Sequence, residues 1–324
     1  MKLQLLIPQY HETDDIVRSM LDSIKIQQGV DLNEIEVLYG NDGSDVKLSE
    51  DLFKEYPFSI RYFQFDHSSP AGTRQKLFNE ATADYIMFCD ADDMFVSVLA
   101  LNTIFTFIEK GFDALITEFL EEIIHNETGK SKFVPHKKDQ TFVHGKVYRR
   151  QHIIDNNIHW KEDIRYHEDG GYNLLAINTA KNIQYCSFPI YLWKWRDNSI
   201  CREDPLYVLK TYTRMIYSNS YLIQDFLDRG MTDQAKFYTA SLIYGTYYTL
   251  NKPIWLDPMH SKYRYETEKC FQKYYAEHRD LFNSLDDKIR NTVIAGTKQR
   301  VIREGVMLEQ FTFEDWIKHI EELE

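Results

Sequence analysis

The first two thirds of the chain alternate between short apolar runs and longer stretches in which apolar residues recur every three or four positions. Residues 3–7 (LQLLI) form an apolar run of strand length that stops at Pro8. In residues 13–29, Ile16, Val17, Met20, Leu21 and Ile24 share one helical face, with Thr13 placed to cap it and Gly29 to end it. The rhythm then repeats. Residues 35–45 read as a strand entering a polar turn, 59–65 as a third strand, and 70–83 as a helix opened by Pro70. Residues 85–89 read as a buried strand, 98–111 as a helix and 113–123 as another strand. Strands that alternate with helices predict a mostly parallel sheet with right-handed crossovers. Beyond 142–160 the rhythm loosens, with short strands expected at 182–186 and 190–193. From about Pro205 onward every apolar pattern is helical. An α/β domain over 1–203 followed by an all-helical domain over 204–324 is therefore expected.

One junction in this pattern carries chemistry. The apolar strand at 85–89 runs into Asp90, Asp92 and Asp93. Ligands of open α/β sheets bind outside the carboxyl ends of the strands, and hard divalent cations on phosphate oxygens are commonly held by one or two carboxylates. The alternative is a solvated turn with an aspartate capping the next helix.

Charge and cysteine usage narrow the classes. The net charge of −12 over 324 residues gives no overall field that would draw in a polyanion such as nucleic acid. Cys89, Cys186, Cys201 and Cys270 form no CxxC pair, which fits reduced thiols of a cytoplasmic protein. No apolar stretch approaches the ~20 residues that span a bilayer, and the start breaks at Pro8, too early for a signal peptide.

Six segments in order, LIPQYHETDDIVRSMLDSI, YGNDGSD, PAGTRQKLFNEATADYIMFCDADD, GKVYRRQHI, HEDGGYN and LWKWRDNS, resemble glycosyltransferases of the family 2 type, over about residues 3–201. The overall look is similar to glycosyltransferases of phage and prophage genomes, for which the site of action would be the host cytoplasm. The resemblance implies a GT-A, Rossmann-like fold and an inverting transferase that uses a nucleoside-diphosphate sugar, UDP-linked by expectation, together with Mn²⁺ or Mg²⁺. It implies that Asp92 holds the metal and that Asp90 reaches the metal and the donor ribose. Asp93 is expected as a cap or supporting partner. The loop with Pro8, Tyr10 and Glu12 resembles the nucleotide-base pocket, and Asp42 stands where the family bonds the nucleoside. Arg74 stands where the family's arginine meets nucleotide and diphosphate, although Gln75 replaces the asparagine that usually follows. Arg196 and Ser199 belong to a segment that closes over the donor, and Trp193 and Trp195 are lid or acceptor-facing aromatics, or simply one face of a strand. Asp169 corresponds to the family's base, with Glu168 orienting it or the acceptor. On the residues alone, both carboxylates could instead be caps at a helix start. One of His144, His159 and His167 could supply a third metal ligand, but the expectation is that they are core or solvated histidines.

Two competing functions are weighed against this. A sugar-phosphate nucleotidyltransferase needs a glycine-rich, basic phosphate loop after the first strand, and IPQYHETDD is acidic and has no glycine. A silent nucleotide-sugar or partner binder would have lost charged positions, yet Asp42, Arg74, Asp90, Asp92, Glu168 and Asp169 are all present. The expected acceptor is a hydroxyl on a glycan, a wall polymer or a modified DNA base. The helical domain is expected to serve packing first, and acceptor recognition or homo-oligomerisation second.

Overall fold

A computed structural model of the chain describes residues 1–124, 128–196, 204, 206–303 and 312–324. They fall into two compact units, Met1–Ser199 and Ile200–Glu324. The first unit begins with β1 (Leu3–Gln9), α1 (Asp14–Lys25), β2 (Ile35–Asp42), α2 (Glu50–Lys54), β3 (Ser59–Phe65), α3 (Pro70–Glu80) and β4 (Tyr85–Phe88). It continues with β5 (Met94–Phe95), α4 (Ala100–Ile108), β6 (Ala114–Ile124), β7 (Ser131–His136), β8 (Lys146–Arg149), α5 (Arg150–Asp155), α6 (Glu168–Thr179) and β9 (Ile183–Trp193).

These strands form one sheet in the order β3-β2-β1-β4-β8-β6-β9-β5, with β7 paired to β6. The half containing β1 to β4 is parallel throughout, as the alternating pattern predicts. The other half is mixed: β8 lies antiparallel between β4 and β6, and β9 returns parallel to β6. The two short strands expected at 182–186 and 190–193 are one strand, β9, broken in register opposite Thr117 and Glu118.

Burial explains why the central strands read as continuous apolar runs. Leu3, Leu5 and Leu6 of β1 are fully buried, and all eight residues of β2 are buried, because both faces of this half are covered. The polar Gln4 is tolerated there because its amide is satisfied: it donates to Glu36 (2.6 Å) and accepts from the backbone of Thr82 (2.7 Å) and Ala83 (2.8 Å). At the start of α3, Ser69 Oγ accepts from Gly72 N at 3.1 Å and Pro70 occupies the first turn, the usual chemistry of a helix entry. Each parallel strand thus ends on the same side of the sheet, and the loops after β1, β2 and β4 converge there.

The second unit contains α7 (Tyr207–Asp228), α8 (Thr232–Leu250), α9 (Pro253–Leu256), α10 (Ser261–Asn283), α11 (Asp287–Arg303) and α12 (Phe313–Glu322). Ala240, Ile243 and Leu250 of α8 are fully buried, and Phe271 of α10 packs on Trp316 of α12 with ring centroids 4.9 Å apart. Among the described residues no helix is long and apolar enough to cross a membrane.

Candidate active site

The loop after β4 is pinned from β9. Asp90 N donates to the Tyr191 hydroxyl at 2.8 Å, and that hydroxyl donates to Asp93 Oδ2 at 2.8 Å. Lys194 N donates to Asp93 Oδ1 at 2.9 Å. Asp93 is therefore a buried partner of β9, only 1% exposed, and not a solvated cap. Asp92 points the other way and keeps partial exposure. Arg196 Nη1 lies 3.2 Å from Asp92 Oδ2 and 2.9 Å from Glu12 Oε1, so residues after β1, β4 and β9 meet in one ionic cluster. Burial pushes the Asp92 carboxyl up to about 6 against the pull of Arg196.

Arg74 is the hub. From α3 its guanidinium donates to Asp90 Oδ1 and to Glu168 Oε1, each at 2.8 Å, with its side chain 7% exposed. A planar fork suits this double duty, since its two nitrogens can serve carboxylates from different elements. Burial alone would raise the Asp90 carboxyl, but Arg74 overcomes it and holds Asp90 below the usual carboxylate range. The fork also rests on the Trp160 ring at 5.1 Å, and Trp160 stacks on Tyr172 of α6 at 4.2 Å. Gln75, the departure from the family pattern, accepts from Trp160 N at 3.0 Å and so holds this aromatic support.

Glu168 and Asp169 form the first turn of α6, entered through His167 in the left-handed region at φ 60°. Asp169 is half-buried; its Oδ2 accepts from Val143 N at 3.2 Å. Burial, then the neighbouring Glu168, pushes its carboxyl up to about 7. A carboxyl that releases its proton near neutrality is matched to general-base work.

The loops after β1 and β2 form a second cluster. Asp42, 4% exposed, accepts at Oδ1 from Ser68 N (2.8 Å) and Ser68 Oγ (3.0 Å). Tyr10 is 44% exposed and stacks on His67 with centroids 4.8 Å apart, giving a flat aromatic platform beside Asp42. Pro8 stands opposite Gly40 in the β1–β2 ladder, just before this loop. Gly43 has φ +72°, and a Cβ there would fall 2.5 Å from His67 N. Gly43→Ala is thus expected to cost about 1–3 kcal/mol in strain plus the clash. Gly111→Ala, with φ +73° but open space around it, isolates the strain alone. Urea titration should show Gly43→Ala to be the more destabilising of the two, and equal losses would contradict the close approach.

Among the residues named from sequence, Glu12, Asp92 and Arg196 meet in one cluster, and Arg74, Asp90 and Glu168 in an adjoining one that shares the Asp90–Asp92 loop. Ser199 lies outside the described residues. His159 is exposed and bonds Asn157, whereas His144 is 4% exposed with Nδ1 3.7 Å from Asp93 Oδ2. Tyr191 and Trp160 escaped the sequence because a lone aromatic gives no spacing signal, and spacing alone does not separate His144 from His159 and His167.

Comparison with known proteins identifies the family and the fold. The family described as Glycosyl transferase family 2 matches residues 5–166. The uncharacterized glycosyltransferase EpsJ of Bacillus subtilis is 22% identical over 219 residues, which cover 61% of this chain and 62% of that protein. The poly(ribitol-phosphate) beta-N-acetylglucosaminyltransferase TarS of Staphylococcus aureus is 20% identical over 205 residues, covering 60% and 35%. A teichoic acid poly(glycerol phosphate) polymerase of Staphylococcus epidermidis is 33% identical over 93 residues, 28% of this chain and 13% of that protein. The chain thus spans less than two thirds of each of these relatives. The crystal structure of S. aureus TarS 1–349 superposes with a TM-score of 0.63 at 15% identity, covering 93% of this chain and 92% of that one, and so shares the fold. With a profile match that spans half its length and carries the β1, β2, α3 and β4 loops of the site, the chain belongs to glycosyl transferase family 2.

Proposed function

We propose that the chain is an inverting, metal-dependent glycosyltransferase that moves a sugar from a nucleoside diphosphate to an acceptor hydroxyl, with residues 1–203 carrying the chemistry. The observation that carries this reading is the Arg74 bridge. By joining Asp90 to Glu168 at 2.8 Å each, it brings the donor-side acidic loop and the α6 carboxylates into one site.

The carboxylates fit a cation. Among the described residues, Glu12, Asp90, Asp92, Asp93, Glu168 and Asp169 gather around two guanidinium groups, Arg74 and Arg196. Asp92 and Asp90 would hold Mn²⁺ or Mg²⁺, which when bound offsets the charge of a diphosphate leaving group. Arg74 and Arg196 add to that charge balance from the protein side. Tyr10 and Asp42 are placed to receive base and ribose. Asp169 takes the proton of the acceptor hydroxyl as its oxygen attacks the anomeric carbon from the face opposite the diphosphate, so the C–O bond to the diphosphate breaks with inversion. Glu168, fixed by Arg74, orients Asp169 or the acceptor.

UDP is the nucleotide we favour, because TarS 1–349 has been solved with UDP-GlcNAc and with UDP. The mannosyltransferase PcManGT of Pyrobaculum calidifontis, at 10% identity and a TM-score of 0.51 over 98% of this chain and 84% of that one, was solved with GDP-Man and Mn²⁺, which supports the metal. Of the three acceptors weighed, a wall polymer fits the names of the relatives best. A nucleotide-sugar donor and the unpaired Cys89, Cys186 and Cys270 suit a cytoplasmic setting. The test is release of nucleoside diphosphate from a panel of UDP- and GDP-sugars with Mn²⁺ and wall-polymer acceptors, followed by NMR of the product anomer. A product with the donor's configuration, or no release with any pair, would overturn the proposal.

Metal and donor binding are expected to be coupled through Asp92. In Asp92→Asn, calorimetry should lose the gain in UDP affinity that Mn²⁺ gives the parent, about tenfold or more, the scale of a lost charge-assisted contact. An unchanged Mn²⁺-dependent gain would remove Asp92 from this role.

A further inference from the structure

We infer that the chain holds a second, inner cation site built from Asp90, Asp93 and His144, suited to a transition-metal ion and sharing Asp90 with the donor cation, whose own ligand is Asp92. Each of the three residues offers one ligand atom, and these atoms lie within 4.8 Å of one another. The decisive member is His144. Its Nδ1 is buried, has no hydrogen-bond partner among the described residues, and lies 3.7 Å from Asp93 Oδ2. A buried imidazole nitrogen without a partner is costly unless something occupies it.

Everything around the three residues fixes them in this arrangement. The His144 ring lies near-parallel to Tyr191 and Trp193, with centroids 5.2 Å away in each case, and meets Phe119 edge-on at 5.2 Å. It cannot swing away without repacking that cage. Asp93 is oriented by the Tyr191 hydroxyl and by Lys194 N, and the same hydroxyl accepts from Asp90 N. Arg74 takes Oδ1 of Asp90 and leaves the carboxylate its other oxygen. Outer partners of this kind orient metal ligands and are part of what gives a site its affinity. Asp92 belongs elsewhere, since it faces Arg196 and keeps exposure that Asp93 lacks. The donor set is two carboxylates and one imidazole. An imidazole ligand suits Co²⁺ and Zn²⁺ best, and Mn²⁺, the weakest binder of the first-row series, still accepts it more readily than Mg²⁺ and Ca²⁺, which prefer oxygen throughout.

The inference is tested with Mn²⁺ alone, nucleotide absent, on the full chain after chelator treatment. Calorimetry should show one Mn²⁺ bound per chain that Mg²⁺ in tenfold excess does not displace, and pulsed EPR should show coupling of that Mn²⁺ to ¹⁴N. His144→Gln should erase the ¹⁴N coupling and weaken Mn²⁺ by tenfold or more, as should Asp93→Asn for affinity, whereas Asp92→Asn should leave both readouts intact. The wild-type ¹⁴N spectrum decides the matter even if a variant fails to fold. Absence of nitrogen coupling, or Mn²⁺ affinity lost in Asp92→Asn and kept in His144→Gln, would overturn the inner site. Neither result bears on whether the chain transfers sugar, which nucleotide release tests separately.

Discussion

Asp169→Asn is expected to lose about 10²–10⁴ in turnover while keeping fold and donor affinity, the loss that follows removal of a general base. Asparagine preserves the shape of the side chain and can still accept at its oxygen from Val143 N, so the first turn of α6 should stand. The pH profile gives an independent check. Burial and Glu168 push the Asp169 carboxyl up to about 7, so in the parent protein kcat/KM should fall tenfold per pH unit on the acid side of about 7. The sign follows from the role: a base works only when deprotonated, and protons win as the pH drops. In Asp169→Asn that acid limb should vanish from the residual rate. Near-normal turnover in the variant would show that another group takes the proton.

Arg74→Met should be the most destabilising single change in the site. Methionine fills much of the volume and still packs on Trp160, so the loss isolates the charge. Removing one partner of a buried ion pair leaves an uncompensated charge and costs about 3–5 kcal/mol. Here two carboxylates, Asp90 and Glu168, lose the same partner, and the Arg74 side chain is only 7% exposed, so solvent screens little of the effect. That is a large share of the roughly 5–15 kcal/mol that holds a typical domain together. Urea titration at neutral pH measures it. Adding Glu168→Gln to Arg74→Met should recover part of the loss, since one of the stranded charges is gone. A loss below about 1 kcal/mol would mean that water reaches the pair and the bridge is not buried in solution.

The half of the sheet with β1 to β4 was legible because its central strands β1, β2 and β4 are buried on both faces and read as apolar runs, while the edge strand β3 is only partly buried. β3 was read at its observed limits, Ser59–Phe65, and β4 was recognised by the acid that follows it. The short β5 and the antiparallel β7 and β8 were not legible. Met94–Phe95 is too short to show a period, and Lys146–Arg149 carries a buried lysine, satisfied by Asp139 at 3.2 Å, that breaks the apolar run. Candidate site residues whose chemistry is local in sequence, such as Asp90, Asp92, Glu168 and Asp169, can be proposed from the sequence alone. Those that matter because of a distant neighbour cannot. Nothing near Gln75 announces that its carbonyl serves Trp160, 85 positions on, and nothing near Tyr191 announces two partners about a hundred residues earlier.

The pinning of the acidic loop by β9 has a consequence for how the molecule is made. Asp90 and Asp93 are tied to Tyr191 and Lys194, and Glu12 to Arg196, across 101 and 184 positions respectively. Closing contacts of such sequence separation is slow, and a growing chain cannot begin until the late partner has been synthesised. The β1–β4 half can therefore assemble during synthesis while its acidic loop still lacks these partners. Until β9 arrives, Asp93 is a carboxylate with neither its tyrosine nor its backbone donor, and Asp92 has no arginine opposite it. The candidate site is thus the last part of its unit to mature, and a chain cut short before residue 183 would carry the acidic loop without the strand that gives it shape.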